Sequence, residues 1–437
     1  MEIRPFRAFR FDPRVVGDVG RCVAPPYDVI DPDQQEQLYR SSEYNIVRIT
    51  RGKTTPTDNG RENQYTRAAG YLNDWISRGA LKQDDAETIY GYVQDFQVNG
   101  TDFRRLTFIA EAKLEEFGRI VRPHEQILTG PLTDRLNLKR ATGARFGLVF
   151  MLYEDPKNIA DGIIERTAAG TPLVDFVDDL DVRHRLYAIS DRADVDAITA
   201  MMRDKSCIIA DGHHRYTTGL NYSRESANPA ARYQMLAFTN TCHEGLIVLA
   251  THRLVSNIES FDVKKLIAAL GRDFQVVEFA FYNNPASKAD ARRKMLERMK
   301  IEHAGDRAAF GIYAANGRFY VAVLRDKRLM DSAAANMSPA WRDLDVAILH
   351  KLILEKLLHI DDEKMAGGEN LAYVKDTPTA MEDSISQVDA GKRQAAFFMN
   401  PVKMQQLKMV TDAGERMPQK STYFYPKMYT GLTIEKL

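Results

Sequence analysis

The run Ser206-Cys207-Ile208-Ile209-Ala210-Asp211-Gly212-His213-His214-Arg215-Tyr216-Thr217-Thr218 leads a short apolar segment straight into a carboxylate, a glycine, two imidazoles and a guanidinium. The residues after Gly212 read as the first turn of a helix that continues through Leu220 and Tyr222. Unpaired backbone N–H groups and the positive helix end would then lie beside imidazole and guanidinium donors, an arrangement that suits an anion. Phosphate fits best, because Arg215 offers a planar fork to its oxygens and Gly212 lets the backbone approach. Asp211 is the exception. A carboxylate beside bound phosphate is repelled unless it holds a metal ion, takes a proton from a nucleophile or orients a neighbouring histidine. Two other readings use the same residues. One is a zinc site, although adjacent His213 and His214 point apart on a helix and no His-x-x-x-His or Cys-x-x-Cys spacing accompanies them. The other is a helix cap with no ligand.

Other stretches carry titratable groups at close spacing. Arg122-Pro123-His124-Glu125, followed by Thr129-Gly130-Pro131 and Asp134-Arg135, reads as a charged loop stiffened by a Gly-Pro turn. Such a loop could place a general base or metal ligand, or could simply be solvated. Ala24-Pro25-Pro26-Tyr27-Asp28 holds Tyr27 and Asp28 behind two prolines, at little entropic cost on binding; a rigid surface turn explains it equally well. Asn45 and Arg48 could line the same cleft. Lys420-Ser421-Thr422-Tyr423-Phe424-Tyr425-Pro426-Lys427 could clamp a phosphate or nucleobase, or dock an aromatic face. Thr251-His252-Arg253 could add a cation. No Gly-x-x-x-x-Gly-Lys-Ser/Thr, Gly-x-Gly-x-x-Gly or Gly-x-Ser-x-Gly is present, which removes the main support for common ATPase, dehydrogenase and hydrolase readings.

The elements that must position these groups are mixed α and β. Asn99-Gly100 between two apolar runs predicts a hairpin of 88–97 with 105–114, and 65–78 has helical spacing ending at Gly79. Residues 46–50 read as a strand, 121–142 as a polar loop and 147–153 as a strand. A helix over 193–203 feeds the strand 207–210, with 234–239 and 246–251 as further strands of the same sheet. Beyond Arg253 the pattern becomes helix 261–271, strand 275–281, helix 287–303 and paired strands 308–314 and 319–324. A long amphipathic helix over 344–358 and a strand over 394–400 follow, with soft joints at 283–285 and 366–368. The expected division is an N-terminal mixed lobe (1–120), a phosphate-binding core (121–255) and a C-terminal α+β lobe (256–437) whose tail returns to the site.

The 437 residues are 44% hydrophobic and 27% charged, as in a globular protein, and 60 basic residues balance 60 acidic ones. Bulk charge therefore gives no reason to expect nucleic acid or an anionic membrane as partner, so any phosphate-directed charge is local. No apolar stretch reaches spanning length, the start has no apolar signal region and three scattered cysteines form no framework, so a cytoplasmic protein is expected. Nothing in the sequence sets an oligomeric state.

Taken together, 24–30, 122–125, 130–136, 210–216, 251–253 and 420–424 resemble a prokaryotic family catalogued as a domain of unknown function, number ten-fifteen, over nearly the whole chain. The Asp211-Gly212-His213-His214-Arg215 core also resembles the phosphate-binding signature of the ParB/sulfiredoxin superfamily, whose free-serine kinases carry it. That resemblance implies an α/β fold with a ParB/sulfiredoxin-like core and an added α+β lobe. It also implies phosphoryl transfer to a small amino acid, free L-serine above all, from a nucleotide or pyrophosphate with a magnesium ion (Mg2+). On this reading Gly212, His213, His214, Arg215 and Thr217 hold the donor phosphates, with Arg122 and Lys420 adding charge. Asp211 or Glu125 takes the hydroxyl proton or holds the metal, His124 joins the charge clamp, and Tyr27, Asp28, Asn45 and Arg48 receive the amino acid. The rivals are a phosphoserine phosphatase using the same site, a ParB-type nucleotide-binding regulator, and a metal-dependent hydrolase centred on His124, His213 and His214.

Overall fold

The computed structural model describes all of the chain except residues 126–128 and 283, together with the side chains of 129–131 and 366. The chain divides into two compact units, one of Met1–Pro123, Ile127–Ile247 and Pro426–Leu437, the other of His124–Gln126 and Val248–Tyr425.

The first unit is built on a nine-stranded mixed sheet. Its order is Val121–Pro123, Cys207–Asp211, Val149–Tyr153, Tyr233–Asn240, Thr101–Lys113, Ile89–Val98, Arg183–Ile189 and Val174–Val177, with Ile3–Arg4 paired to Thr101–Lys113. The expected hairpin is present: Asn99 (φ 51°) and Gly100 (φ 78°) both take the left-handed conformation that a two-residue turn between twisted strands requires. Sheet residues Phe108 and Phe238 stack at 4.9 Å between ring centroids in the core, where Tyr216 from the helix His213–Glu225 is also buried.

The strand Cys207–Asp211 follows the helix Arg192–Met202, both close to expectation. It runs parallel to Val121–Pro123 and antiparallel to Val149–Tyr153. The register slips between Ile209 and Asp211. A bulge of this kind re-aims a side chain at the end of a strand, and here the re-aimed residue is Asp211.

In the second unit, six antiparallel strands run in the order Phe274–Ala280, Arg318–Leu324, Ala309–Tyr313, Ala395–Phe398, Thr251–Val255 and Leu371–Lys375. Their core takes Met295 and Met299 from the helix Pro285–Ala304 and Ile385 and Val388 from Ala380–Asp389.

Several elements differ from expectation. Residues Val47–Thr50 form a helical turn, not a strand, because the Asn45 side chain accepts from the Val47 N–H and starts it. The stretch 121–142 is not a loop: Val121–Pro123 is a sheet strand and Thr129–Thr142 a helix packed between Gln64–Ser77 and His213–Glu225. The apolar run 246–251 breaks into Ile247–Leu249 and Thr251–Val255, and the latter belongs to the six-stranded sheet, not to that of Cys207–Asp211. The long helix over 344–358 is an α-helical turn, Asp345–Ile348, running into a π-helix, Leu349–Glu355. Of the supposed joint at 283–285, Asn283 lies outside the described residues, while Asn284 caps the next helix by accepting from the Ser287 N–H. No described helix is long and apolar enough to cross a membrane.

Candidate functional site

In the first unit the bulged strand delivers Asp211 to a turn at Gly212, whose φ of 93° lies in the left-handed region, and the 13-residue helix His213–Glu225 begins there. The backbone reverses within one residue, which leaves the first N–H groups of the helix unbonded within it. Tyr216 N makes the first bond back, to Gly212 O at 2.9 Å.

Arg215 lies across this turn. Its Nη1 donates to Leu148 O at 2.5 Å and its Nη2 lies 3.7 Å from Asp211 Oδ1. Two glycines make room for it: a Cβ on Gly212 would come within 3.0 Å of Arg215 Nε, and one on Gly147 within 3.2 Å of Nη1. Gly212→Ala therefore combines a left-handed alanine with a displaced guanidinium. A loss of about 1–2 kcal/mol is expected in denaturant melts, with weaker binding of a phosphate donor by calorimetry.

The second cation is Lys427, whose Nζ donates to Asp211 Oδ2 at 3.1 Å from 216 residues away. Its backbone is held by the sheet: Gln94 Nε2 donates to Lys427 O at 3.1 Å and Arg105 Nη2 to Pro426 O at 2.5 Å. Burial alone would raise the proton affinity of Asp211, but Lys427 and Arg215, helped by His213, outweigh it and hold the carboxyl well below the usual carboxylate range. Asp211 is thus a fixed negative charge and a weak proton acceptor. Arg215 and Lys427 thus bring two cations to this turn beside Asp211, and the positive end of the helix lies there too.

The remaining residues singled out in the sequence have definite places. His213 is buried and His214 half-buried on the first turn of the helix, and the Thr217 hydroxyl is buried without a hydrogen-bond partner. Tyr27 is half-buried under the guanidinium of Arg135, 4.0 Å from its ring centre, while Asp28 is exposed. Asn45 is fully buried, its amide donating to Arg21 O and Val23 O, so its side chain holds the chain together and has no surface to offer a substrate. Arg48 donates to Tyr39 O and stacks on the Tyr39 ring. Arg122 donates to Ser206 Oγ at 3.1 Å. His184, read from the sequence as structural, is fully buried, stacked on Phe176 and paired with Asp178.

In the second unit, His124, Glu125 and Lys420 come together. His124 is 2% exposed, shares a hydrogen bond with Thr422 Oγ1 at 2.9 Å, and its carbonyl accepts from Met417 N. Glu125 Oε1 accepts from the Lys420 backbone N–H at 3.0 Å. Lys420 itself has an exposed side chain, and its carbonyl accepts from buried Arg253 at 3.1 Å. These contacts pin the segment 417–424.

No group of three His, Cys, Asp or Glu side chains able to hold a metal ion is found among the described residues. Mg²⁺ takes oxygen ligands, and at the Gly212 turn the carboxylate able to offer one is Asp211.

Sequence reasoning passed over Lys139, Arg145, Thr218 and Lys427 as functional groups. Lys139 and Arg145 look like ordinary surface charges in the sequence, yet both are buried. Lys427 stood in a stretch already marked as a possible clamp, from which Lys420 was the residue chosen.

The fold is thus a mixed α/β protein with a strand-turn-helix site that brings Arg215 and Lys427 to Asp211. The chain belongs to the family described as "Protein of unknown function (DUF1015)", whose model matches residues 3–347; Lys427 lies beyond the matched part. No curated protein matches the chain. Among solved structures it is similar to a conserved hypothetical protein from Pyrococcus furiosus, with 15% identity and a TM-score of 0.34 over 73% of this chain and 92% of that one. It is also similar to a free serine kinase in complex with AMP, with 13% identity and a TM-score of 0.34 over 72% of this chain and 86% of that one. A third likeness is to SbnI with a C-terminal truncation from Staphylococcus aureus, with 8% identity and a TM-score of 0.35 over 75% and 87%. Likenesses at this level do not assign an activity.

Proposed function

We propose that the chain is a phosphotransferase that moves a phosphoryl group from a nucleotide or pyrophosphate onto the hydroxyl of a small amino acid, L-serine in the first instance. The supporting observation is the Gly212 turn, where Arg215 and Lys427 both face Asp211 at a helix start. Phosphoryl transfer asks a protein mainly for positioning and charge neutralisation, and this turn is suited to supply both. Arg215, Lys427 and the N–H groups of the first helical turn would hold the donor phosphates, with His213 and His214 flanking them. When bound, Mg²⁺ would neutralise charge on those phosphates, with Asp211 as its protein ligand. The serine hydroxyl oxygen attacks the terminal phosphorus, the bond from phosphorus to the bridging oxygen breaks, and the hydroxyl proton passes to a base.

The test is incubation with L-serine and Mg²⁺ and, separately, ATP, ADP or pyrophosphate, with O-phospho-L-serine read by mass spectrometry. Formation with one donor is the expected result; no product with any donor overturns the reading. Arg215→Ala is expected to raise the donor KM by at least about 10-fold, through loss of a charge-assisted phosphate contact, with a smaller change in kcat.

A further inference from the structure

Behind Arg215, wholly within the first unit, lies a cavity of about 70 Å³. It is lined by Arg135 and Lys139 of the helix Thr129–Thr142, Arg145, Arg215 and Thr218 of the helix His213–Glu225, and Tyr27, among others. Four of its lining residues are basic and none is acidic. A water needs roughly 10–15 Å³ measured in this way, so the room suits about five heavy atoms, the number in a phosphate ion.

The polar groups around it are under-used. Thr218 is 3% exposed, and its Oγ1 is buried with no hydrogen-bond partner. Arg145 Nε is likewise buried and unpartnered. Lys139 is 6% exposed, and its Nζ, with three protons to donate, makes one hydrogen bond, to Gln234 Oε1 at 3.1 Å. Its Nζ also lies 5.2 Å from the centre of the Tyr222 ring. Burial, with Arg145 nearby, pushes the Lys139 pKa down to about 7. The acidic partners stand outside the lining. Asp134 pairs with Arg135, Asp211 with Arg215, and Glu435 and Glu111 with Arg145. A buried hydroxyl and a buried amine with spare protons are costly unless a ligand accepts from them.

We propose that this cavity binds one small oxyanion, the chemistry shared by inorganic phosphate and a small monocarboxylate, between Lys139 and Thr218. The site goes beyond the phosphotransferase reading, since it needs no transfer step and shares with that reading Arg215 and Tyr27.

The test is calorimetric titration at pH 6.5 with sodium phosphate in one arm and sodium acetate in the other, on the parent protein, Thr218→Val and Lys139→Met. One arm is expected to saturate at one anion per chain. Thr218→Val removes a hydroxyl at nearly constant shape and should weaken binding about 10-fold. Lys139→Met should abolish binding while raising the melting temperature of the anion-free protein, because a buried amine is replaced by an apolar chain of similar length. Circular dichroism controls for folding. Binding in neither arm, or affinity unchanged in both variants, overturns the proposal; anion held at the Gly212 turn would give the latter result. Loss of O-phosphoserine formation with anion binding intact would count against the phosphotransferase reading alone.

Discussion

Asp211→Asn is expected to lower turnover of L-serine and donor by about 10²-fold or more while the protein stays folded. The substitution keeps the shape and still offers an oxygen to Lys427 Nζ, which now donates to Asp211 Oδ2 at 3.1 Å. What it removes is the negative charge facing Lys427 and Arg215. The turn becomes more positive, so the donor KM should hold or fall even as kcat collapses. That split separates two roles. A residue that merely balances its neighbours would leave kcat near the parent value once its charge is gone; a residue that carries Mg²⁺ on the donor phosphates cannot. Because Lys427 and Arg215 depress its proton affinity, Asp211 is a poor general base. The pH profile of kcat in the parent should therefore show no limb assignable to Asp211 above pH 5. Steady-state kinetics with circular dichroism as folding control makes the measurement. A folded Asp211→Asn protein working at the parent rate would remove Asp211 from the chemistry and leave Glu125, tested as Glu125→Gln, as the other carboxylate singled out in the sequence.

The sequence made the centre of this site legible because its geometry is local. A glycine after an apolar strand and before helical spacing can be read within a dozen residues, and Gly212 takes the left-handed conformation such a turn needs. The Asn99-Gly100 hairpin was legible for the same reason. The errors came where distant contacts decide. Val47–Thr50 has strand composition, but Asn45 is tied to the Arg21 and Val23 carbonyls 24 and 22 residues away, and that anchorage sets a helical turn. The stretch 121–142 looks polar enough for a loop, yet its charges are used in the interior: Arg135 over Tyr27 and Lys139 against Gln234. A buried lysine has the same letter as a solvated one. The bulge that aims Asp211 is a mismatch between paired strands, and no single segment encodes it. Lys427 reaches Asp211 from a backbone held at Lys427 O and Pro426 O by Gln94 and Arg105, which are fixed in adjacent strands.

Glu435→Gln is expected to stabilise the protein increasingly as the pH rises from about 5 to 8, by on the order of 2–4 kcal/mol at the plateau. Glu435 is buried beside Glu111, and both carboxyls face the guanidinium of Arg145. Burial, with Glu111 adding to it against the pull of Arg145, pushes the Glu435 pKa up to about 8 from the ordinary 4.5. A group whose pKa is raised by folding contributes stability that is fully present below its unfolded pKa and is lost as pH climbs through the folded one. Over that window the folded parent keeps Glu435 protonated while the unfolded chain ionises, so the parent loses stability that the glutamine variant keeps. Lys139 slopes the other way. Its pKa is depressed from 10.5 to about 7, so the penalty for burying the amine is full below pH 7 and fades between 7 and 10.5. The parent stability profile sums these opposed slopes, and only differences between parent and variant isolate each group. Denaturation midpoints for the parent, Glu435→Gln and Lys139→Met should thus diverge on opposite sides of neutrality: the glutamine gain grows toward pH 8 and the methionine gain shrinks above pH 7. A Glu435→Gln gain that is flat across pH 5 to 9 would show that Glu435 keeps its ordinary pKa in the folded protein. Arg145 would then face an ionised Glu435, and the cavity it lines would carry less positive charge for an anion to use.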